Sequence, residues 1–358
     1  MLYVHVPFCH RKCTYCAFYS LPSLRKAEGY VDALLAEMAL RHGEQAHPIQ
    51  TVYFGGGTPS LLPLGLLTRV VEGLRQWFDL SHVREATIEA NPEDLTPDYL
   101  GALAELRFFN RLSIGVQSLD EASLRLLNRR HTARQALEAI ENARAAGFGN
   151  ISIDFIYGLP GRAQPPVVPA GVTHVSAYAL TVEPGTALAM QVGQGRVALP
   201  GDDDVAEQYH AMRSALEAQG FAQYEVSNFA LPGFRSRHNS RYWDRTPYLG
   251  LGPSAHSFDG RCRRWNSPMD ADGAWTVGGE EALSEADACN ELLMTALRTT
   301  DGLAAAAVPE RYREGLHRAM QPYIECGWIE RPAGPQPVYR PTAEGLLHAD
   351  GMAAALFV

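Results

Sequence analysis

No stretch of this 358-residue chain stays apolar for the roughly 18 residues that a membrane-crossing helix needs. Its first residues lack a basic segment followed by an apolar one, so the sequence predicts no signal peptide. Positive charge is in deficit: 31 Lys and Arg stand against 40 Asp and Glu, a formal net charge of −9. That deficit works against broad contact with a nucleic-acid backbone, which needs clustered cations. Cysteine is sparse, six in all, and a chain of this length builds its core without disulfides. With no export signal, a reducing cytoplasm is the expected compartment. Internal repeats and low-complexity segments are absent as well.

Half of those cysteines sit in one short stretch. Cys9, Cys13 and Cys16 fall in Tyr3-Val-His-Val-Pro-Phe-Cys-His-Arg-Lys-Cys-Thr-Tyr-Cys, a C-x3-C-x2-C spacing. Three thiolates on a short loop can hold three corners of an iron–sulfur cube and leave the fourth iron without a protein ligand. Clusters built for electron transfer alone usually take four cysteines. A structural zinc site, with His5 or His10 as fourth ligand, is the rival reading. Cys262, Cys289 and Cys326 show no metal spacing, and Cys289 and Cys326 read as buried small hydrophobes.

Apolar runs at 2–6, 51–54, 86–89, 111–115, 151–155 and 174–179 mark six strands. Helix-like segments at 23–42, 63–78, 97–108 and 132–146 separate them, the first carrying Tyr30, Val31, Leu34, Leu35 and Met38 on one stripe and the last closed by Gly147. Strands alternating with helices predict parallel β/α units, an α/β open sheet or incomplete barrel over residues 1–180. One connection departs from this pattern. After Ile156 the chain reads Tyr-Gly-Leu-Pro-Gly-Arg-Ala-Gln-Pro-Pro-Val-Val-Pro-Ala-Gly. A parallel crossover takes about a dozen residues or more, and these prolines forbid a regular helix; an extended strap or a lost helix is expected over 160–172. Residues 181–283 read as irregular structure plus one helix at 202–219. Residues 284–358 read as a small separate domain. A helix carries Cys289, Leu292, Leu293, Ala296 and Leu297, and another spans 309–325. A hairpin follows from Gly327-Trp-Ile-Glu and Val338-Tyr-Arg-Pro-Thr, then a last helix from Ala343. That order resembles a winged helix. Its six Arg, no Lys and ten acids give 6 − 10 = −4, whereas a DNA-groove reader should be basic.

In parallel β/α folds, ligands gather at the C-terminal ends of the strands. Here Cys9–Cys16 follows the first strand, Gly55-Gly-Gly-Thr-Pro the second, Glu89-Ala-Asn-Pro the third and Gly115-Val-Gln-Ser the fourth. Asp154 lies in the fifth, with Tyr157-Gly-Leu-Pro after it. Five unusual segments converge on one mouth, which neither a zinc finger nor chance would arrange.

This set of phrases, covering most of the chain, resembles the radical S-adenosylmethionine (SAM) superfamily. Tyr3…His5-Val-Pro-Phe-Cys9, Phe54-Gly-Gly-Gly-Thr-Pro-Ser60, Glu89-Ala-Asn-Pro, Arg111-Leu-Ser-Ile-Gly-Val-Gln-Ser118 and Ile153-Asp-Phe-Ile-Tyr-Gly-Leu-Pro160 are similar to the branch that holds the oxygen-independent coproporphyrinogen III oxidases and the HemW-type heme chaperones. The resemblance implies an incomplete (β/α)6 TIM-like barrel with a small C-terminal α-rich, winged-helix-like domain. It implies that Cys9, Cys13 and Cys16 ligate a [4Fe-4S] cluster and that SAM chelates the fourth iron, where reductive cleavage would give a 5′-deoxyadenosyl radical. Gly55, Gly56, Gly57 and Thr58 would border the methionine end, the glycines by letting backbone come close; an ordinary tight turn is the plain alternative. Glu89 would accept from a ribose hydroxyl, or is simply a strand-end acid. Tyr3, Tyr15, Gln117, Arg129, Asp154 and Ala179 would line the nucleotide pocket, with Arg130 able to replace Arg129.

Two features point to the chaperone side of the branch. The oxidases carry another cysteine where this chain has Phe18, and an additional N-terminal stretch for which this sequence leaves no room. His238-Asn-Ser-Arg-Tyr-Trp243 matches the H-N-x-x-Y-W signature of HemW-type proteins, making His238 a candidate heme-iron ligand as well as a candidate structural histidine. Arg235, Arg237, Arg241 and Arg245 bracket it, with Arg261, Arg263 and Arg264 close behind. They suit porphyrin propionates, or form a solvated loop. Leu249-Gly-Leu-Gly-Pro-Ser-Ala-His256 is expected to close over the pocket, with His256 as a second ligand or wall residue. The function implied is that of a heme chaperone, taking heme and passing it to an acceptor protein, with an electron donor for the cluster. The alternative is radical decarboxylation of coproporphyrinogen III. A third, RNA modification, is opposed by the acidic balance.

Overall fold

A computed structural model describes residues 1–44, 47–161, 166–334 and 336–358. Six parallel strands form its centre: β1 (Leu2–Val6), β2 (Thr51–Gly56), β3 (Glu85–Ala90), β4 (Arg111–Gln117), β5 (Ile151–Tyr157) and β6 (His174–Ala179). Between the first five run α1 (Ala27–Arg41), α2 (Leu64–Trp77), α3 (Pro97–Glu105), α4 (Glu121–Leu126) and α5 (Ala133–Ala145). Strict alternation along the strands explains the layering. Leu2, Val4, Val52, Phe54, Ile88, Leu112, Ile114, Ile151, Ile153 and Val175 are buried in one core with the helices. The residues between them are polar: Tyr3, His5, Thr51, Tyr53, Thr87, Glu89, Arg111, Ser113, Ser152, Asp154, His174 and Ser176. They face inward, where Tyr53 meets Glu89, Ser113 meets Asp154 and Ser152 meets His174.

Local chemistry sets the helix ends. Thr132 and Gln135 form a reciprocal capping box at α5, worth roughly 1 kcal/mol for the cap alone, and Gly147, at φ +93°, follows its end as expected. α3 stops at Glu105, short of the predicted 108, and Arg107 just beyond it takes φ +47°. α1 starts only at Ala27, because residues 24–26 form a separate 3₁₀ turn capped by Ser23. Helix α4 was not anticipated, although Asp120 caps it by accepting from Ser123 N.

Residues 181–283 are far more regular than the composition suggested. They hold α6 (Ala187–Gly193), α7 (Asp202–Ala218), β7 (Ala222–Gln223), β8 (Asn228–Ala230), α8 (Arg237–Trp243), β9 (Leu249–Leu251) and an antiparallel sheet of β10 (His256–Phe258), β11 (Cys262–Asn266) and β12 (Val277–Ala282). The central sheet runs β7-β8-β6-β5-β4-β3-β2-β1-β9. β9 corrects the reading of the Gly-rich segment as a lid: Leu249 and Leu251 are buried and pair parallel with β1. Gly252, at φ +97°, lies where a Cβ would stand 2.6 Å from His5 O, so its glycine serves the approach to β1.

Part of the 160–172 crossover, residues 162–165, lies outside the described residues; its described part carries no helix. Helix α7 covers that side instead. Tyr209, Met212 and Leu216 enter the main core, the Tyr209 ring lies 5.9 Å from that of Tyr157, and Gln208 Oε1 accepts from Gly158 N at 2.8 Å. Gln219, just past the helix, accepts from Val168 N and donates to Pro166 O.

Beyond 284, α9 (Glu285–Ala296), β13 (Leu303–Ala304), α10 (Glu310–Glu325), β14 (Val338–Tyr339), α11 (Ala343–Leu347) and α12 (Ala349–Ala355) enclose their own core around Cys289, Leu293, Leu316, Met320 and Tyr339. β14 pairs with β13 rather than with the predicted 327–330 segment, which touches this strand only through the single bridge of Ile329 to Pro341. Cys326, read as buried, is exposed because it follows the last turn of α10 on its outer side.

Leu216→Ala should lower the unfolding free energy by about 2–5 kcal/mol, as for a core leucine, in urea denaturation. A loss under about 0.5 kcal/mol would mean that α7 only decorates the surface.

Candidate functional site

The cysteine loop leaves β1 and is tied down on both flanks. Cys9 N donates to Leu21 O at 3.0 Å, and Thr14 bonds through N and Oγ1 to Leu127 O and Leu126 O at the C-terminal end of α4. Leu188 N of α6 donates to Thr14 O at 2.8 Å. All three thiols are free and partly exposed. Thr58 Oγ1 donates to Cys9 Sγ at 3.5 Å, and Arg129 Nη1 to Cys13 Sγ at 3.4 Å. Burial pushes the Cys9 and Cys16 thiols up, and Cys13 nearby adds to this. Cys9 and Cys16 thus resist ionising unless positive charge arrives among the three sulfurs, which is what an iron–sulfur cluster brings. These residues therefore fit the cluster. The zinc alternative needs His5 or His10 as its fourth ligand. His5 is already hydrogen-bonded to Tyr3 Oη and Tyr19 O, each at 3.2 Å, and burial drives its pKa down to about 4. His10 is exposed.

The glycines that end β2, Gly55 and Gly56, and Gly57 after it are needed by the protein itself. A Cβ on Gly57 would stand 2.6 Å from Phe8 O, and one on Gly56, at φ +107°, 2.5 Å from the His5 ring. Gly55 faces Glu89. Glu89 accepts from Tyr53 Oη at 2.7 Å and from Gly56 N at 3.2 Å, and burial pushes its pKa up to about 7. Asp154 is likewise raised by burial to about 6, restrained by the Arg111 guanidinium. Arg111 is fully buried, with Nε and Nη1 making no hydrogen bond.

Arg129, not Arg130, faces the mouth. Its Nη2 also donates to Asn91 Oδ1 and Gly115 O, both at 2.6 Å, whereas Arg130 is directed at Glu93. Gln117, at φ +65°, ends β4 beside Arg129. Tyr15 packs with Leu127, Ile156 and Leu159, and Ala179 ends β6 exposed. The structure thus brings Tyr3, Tyr15, Gly55–Thr58, Glu89, Gln117, Arg129, Asp154 and Ala179 to the mouth or its inner wall. His256 stands apart on β10, exposed and stacked on Trp265 at 5.9 Å. The sequence reading overlooked Tyr53, Asn91 and Arg111, all of which touch or charge this site. Arg111, a charge heading an otherwise buried strand, was the visible signal.

His238 sits at the opposite end of the strands. Glu85 accepts from the backbone N–H groups of Arg237 and His238 at 2.9 and 2.8 Å, fixing α8 beneath β2 and β3. The His238 ring is fully buried against Tyr53. Its Nδ1 is bonded to Thr51 Oγ1 at 2.8 Å and its Nε2 to Tyr242 Oη at 3.1 Å, while burial drives its pKa down to about 3. This conformation leaves neither ring nitrogen free for heme iron, so the structural alternative is the one the geometry favours. Nor do the seven arginines form one patch. Arg245 and Arg263 pair with Glu291, Arg264 with Glu44 and Arg235 with Asp301. Between α8 and Glu89 lies a chamber of about 370 Å³. Into its wall the sequence reading placed neither Glu225, whose carboxyl burial pushes up to about 7, nor the buried Trp243 Nε1.

Three cysteines after β1, glycines at the end of β2 and an acid near the end of β3 define the class, and residues 3–164 match the Radical SAM superfamily. The chain is 38% identical over 332 residues to the heme chaperone HemW of Mycobacterium tuberculosis, covering 87% of this chain and 85% of that protein. It is 33% identical over 332 residues to the HemW of Bacillus subtilis, with coverages of 88% and 87%. The structure of coproporphyrinogen III oxidase (HemN) from Escherichia coli, a radical SAM enzyme, shares the fold at a TM-score of 0.81 and 23% identity, over 100% of this chain and 89% of that one. The chain belongs to the HemW family of the radical SAM superfamily. No helix among the described residues is long and apolar enough to cross a membrane.

Two outcomes check this geometry. His238→Ala should cost about 2–5 kcal/mol in denaturant unfolding, since it opens a cavity and strands two buried hydroxyls. Glu89 binds a proton more tightly folded, near pH 7, than unfolded, near 4.5, so its contribution to stability is present below about pH 4.5 and lost as pH rises through 7. Glu89→Gln should flatten the fall in stability across that window; an unchanged slope would place the titration elsewhere.

Proposed function

We propose that this protein binds heme and hands it to an acceptor protein, with a [4Fe-4S] cluster and SAM held at the strand-end mouth. The observation that carries this reading is the mouth itself. Cys9, Cys13 and Cys16, with Thr58 and Arg129 donating to two of their sulfurs, occur in a chain whose relatives are named heme chaperones. Once bound, the cluster and SAM supply one-electron radical chemistry.

The chain's own residues prepare that mouth. Arg129 and Thr58 offset the charge of the ligating thiolates. Glu89 and Asp154, raised by burial, stand where ribose and amino groups would meet them. Tyr3, Tyr15, Gln117 and Ala179 form the remaining nucleotide wall, and Gly55–Gly57 hold their backbone close behind the loop. Tyr15 with Leu127, Ile156 and Leu159 keeps water from that side. His256, exposed on β10, remains a candidate heme or pocket contact outside this set. An electron donor and a heme acceptor are the partners implied, in a cytoplasmic setting, with no role for nucleic acid. Residues 1–180, 181–283 and 284–358 would act as barrel, extension and terminal domain.

The test is anaerobic reconstitution followed by separate addition of heme and of coproporphyrinogen III, each with SAM and a reductant. Heme binding without protoporphyrinogen formation is expected, as is loss of the thiolate–iron absorption in Cys9→Ser, Cys13→Ser and Cys16→Ser. Turnover of coproporphyrinogen would establish the decarboxylase instead.

A further inference from the structure

At the N-terminal ends of the strands, away from the cysteine mouth, the protein holds a cleft of about 630 Å³, within the size range of small-molecule sites. Arginines reach it from separate segments. Arg84 comes from the turn before β3, Arg235 from the loop before α8, and Arg237 and Arg241 from α8 itself. One acid, Asp244, shares the lining, so four positive charges meet one negative in a chain of net charge −9. Arg235 is drawn toward Asp301 at 3.3 Å, and Arg241 bonds Gln50. The guanidinium groups of Arg84 and Arg237 make no hydrogen bond or ion pair among the described residues. The floor is apolar, built from Ala230, Leu231 and Pro232.

We infer that this cleft binds a flat apolar ligand bearing two carboxylates, of the propionate-bearing porphyrin class, with Arg84 and Arg237 taking the carboxylates and Leu231-Pro232 the ring face. The assignment rests on the heme-binding reading above and places heme at the end of the barrel remote from the cluster. Unpaired guanidinium forks match carboxylates in charge and geometry. A polyanion such as RNA would face a chain of net charge −9 along its length, whereas a compact dianion needs only the cleft's own arginines. Thr51 links the cleft to the His-Asn-x-x-Tyr-Trp segment: it lines the cleft, while its Oγ1 holds His238 Nδ1. The segment would thus serve by shaping the wall from behind, without offering iron a ligand.

The test is a spectroscopic titration of the full chain with heme and with a porphyrin dimethyl ester. Arg84→Glu/Arg237→Glu should weaken heme binding about 10–100-fold, the effect of losing two charged hydrogen-bonding partners. Arg84→Gln/Arg237→Gln should show a smaller loss, and the urea midpoint of both variants should match the parent. The dimethyl ester should bind the parent as weakly as heme binds the charge-reversed variant, and SAM binding should not change. Parent-like heme affinity in the charge-reversed variant would overturn the cleft assignment, leave heme binding itself intact, and hand the cleft to an acidic segment of a partner protein. No heme binding by the parent would overturn both readings.

Discussion

A barrel lined with polar groups has to satisfy them from within, and here that demand centres on Arg111. Its guanidinium is fully buried and not fully bonded, and a buried charge without partners costs several kcal/mol. Asp154 and Glu89 are the acids whose titration it influences. Around them, each inward residue leans on a neighbour: Tyr53 on Glu89, Ser113 on Asp154, Ser152 on His174, His174 on Tyr224. The mouth is the open rim of this network, so its acids arrive already positioned by the barrel's internal electrostatics.

The strands and their order were legible because their outer residues alternate so regularly. Leu112 and Ile114 flank Ser113, and Ile151 and Ile153 flank Ser152. The same alternation carried the inner lining, yet Arg111 and Tyr53 are identified as interior groups only once parallel register sets Tyr53 beside Thr87 and Thr87 beside Arg111. Short strands such as β8 and β9 were not legible. Three residues carry too little period to be distinguished from a turn, and what makes them strands is the bare edge of β6 or β1 that they cover.

At the site, spacing alone brought out the cysteines, since ligand geometry depends on it directly. The glycines were found for an incomplete reason: Gly57 is demanded by Phe8 O, whatever ligand binds. Arg129 could be separated from Arg130 only by seeing which side chain reaches Cys13. His238 was the hardest, because a histidine in a signature looks the same whether its nitrogens face a cofactor or are already bonded to Thr51 and Tyr242.

The packing of α7 against this flank also has a consequence during synthesis. The chain is made from its N-terminus, and the whole stretch that carries the cysteine mouth emerges from the ribosome before the helix that seals its last strands. Until Tyr209, Met212 and Leu216 follow, the growing sheet keeps an uncovered apolar flank, the kind of surface that holds nascent chains on chaperones. Cluster assembly at the mouth would then be best timed after the translation of α7, and a fragment ending near residue 164 would leave the ribosome unfinished.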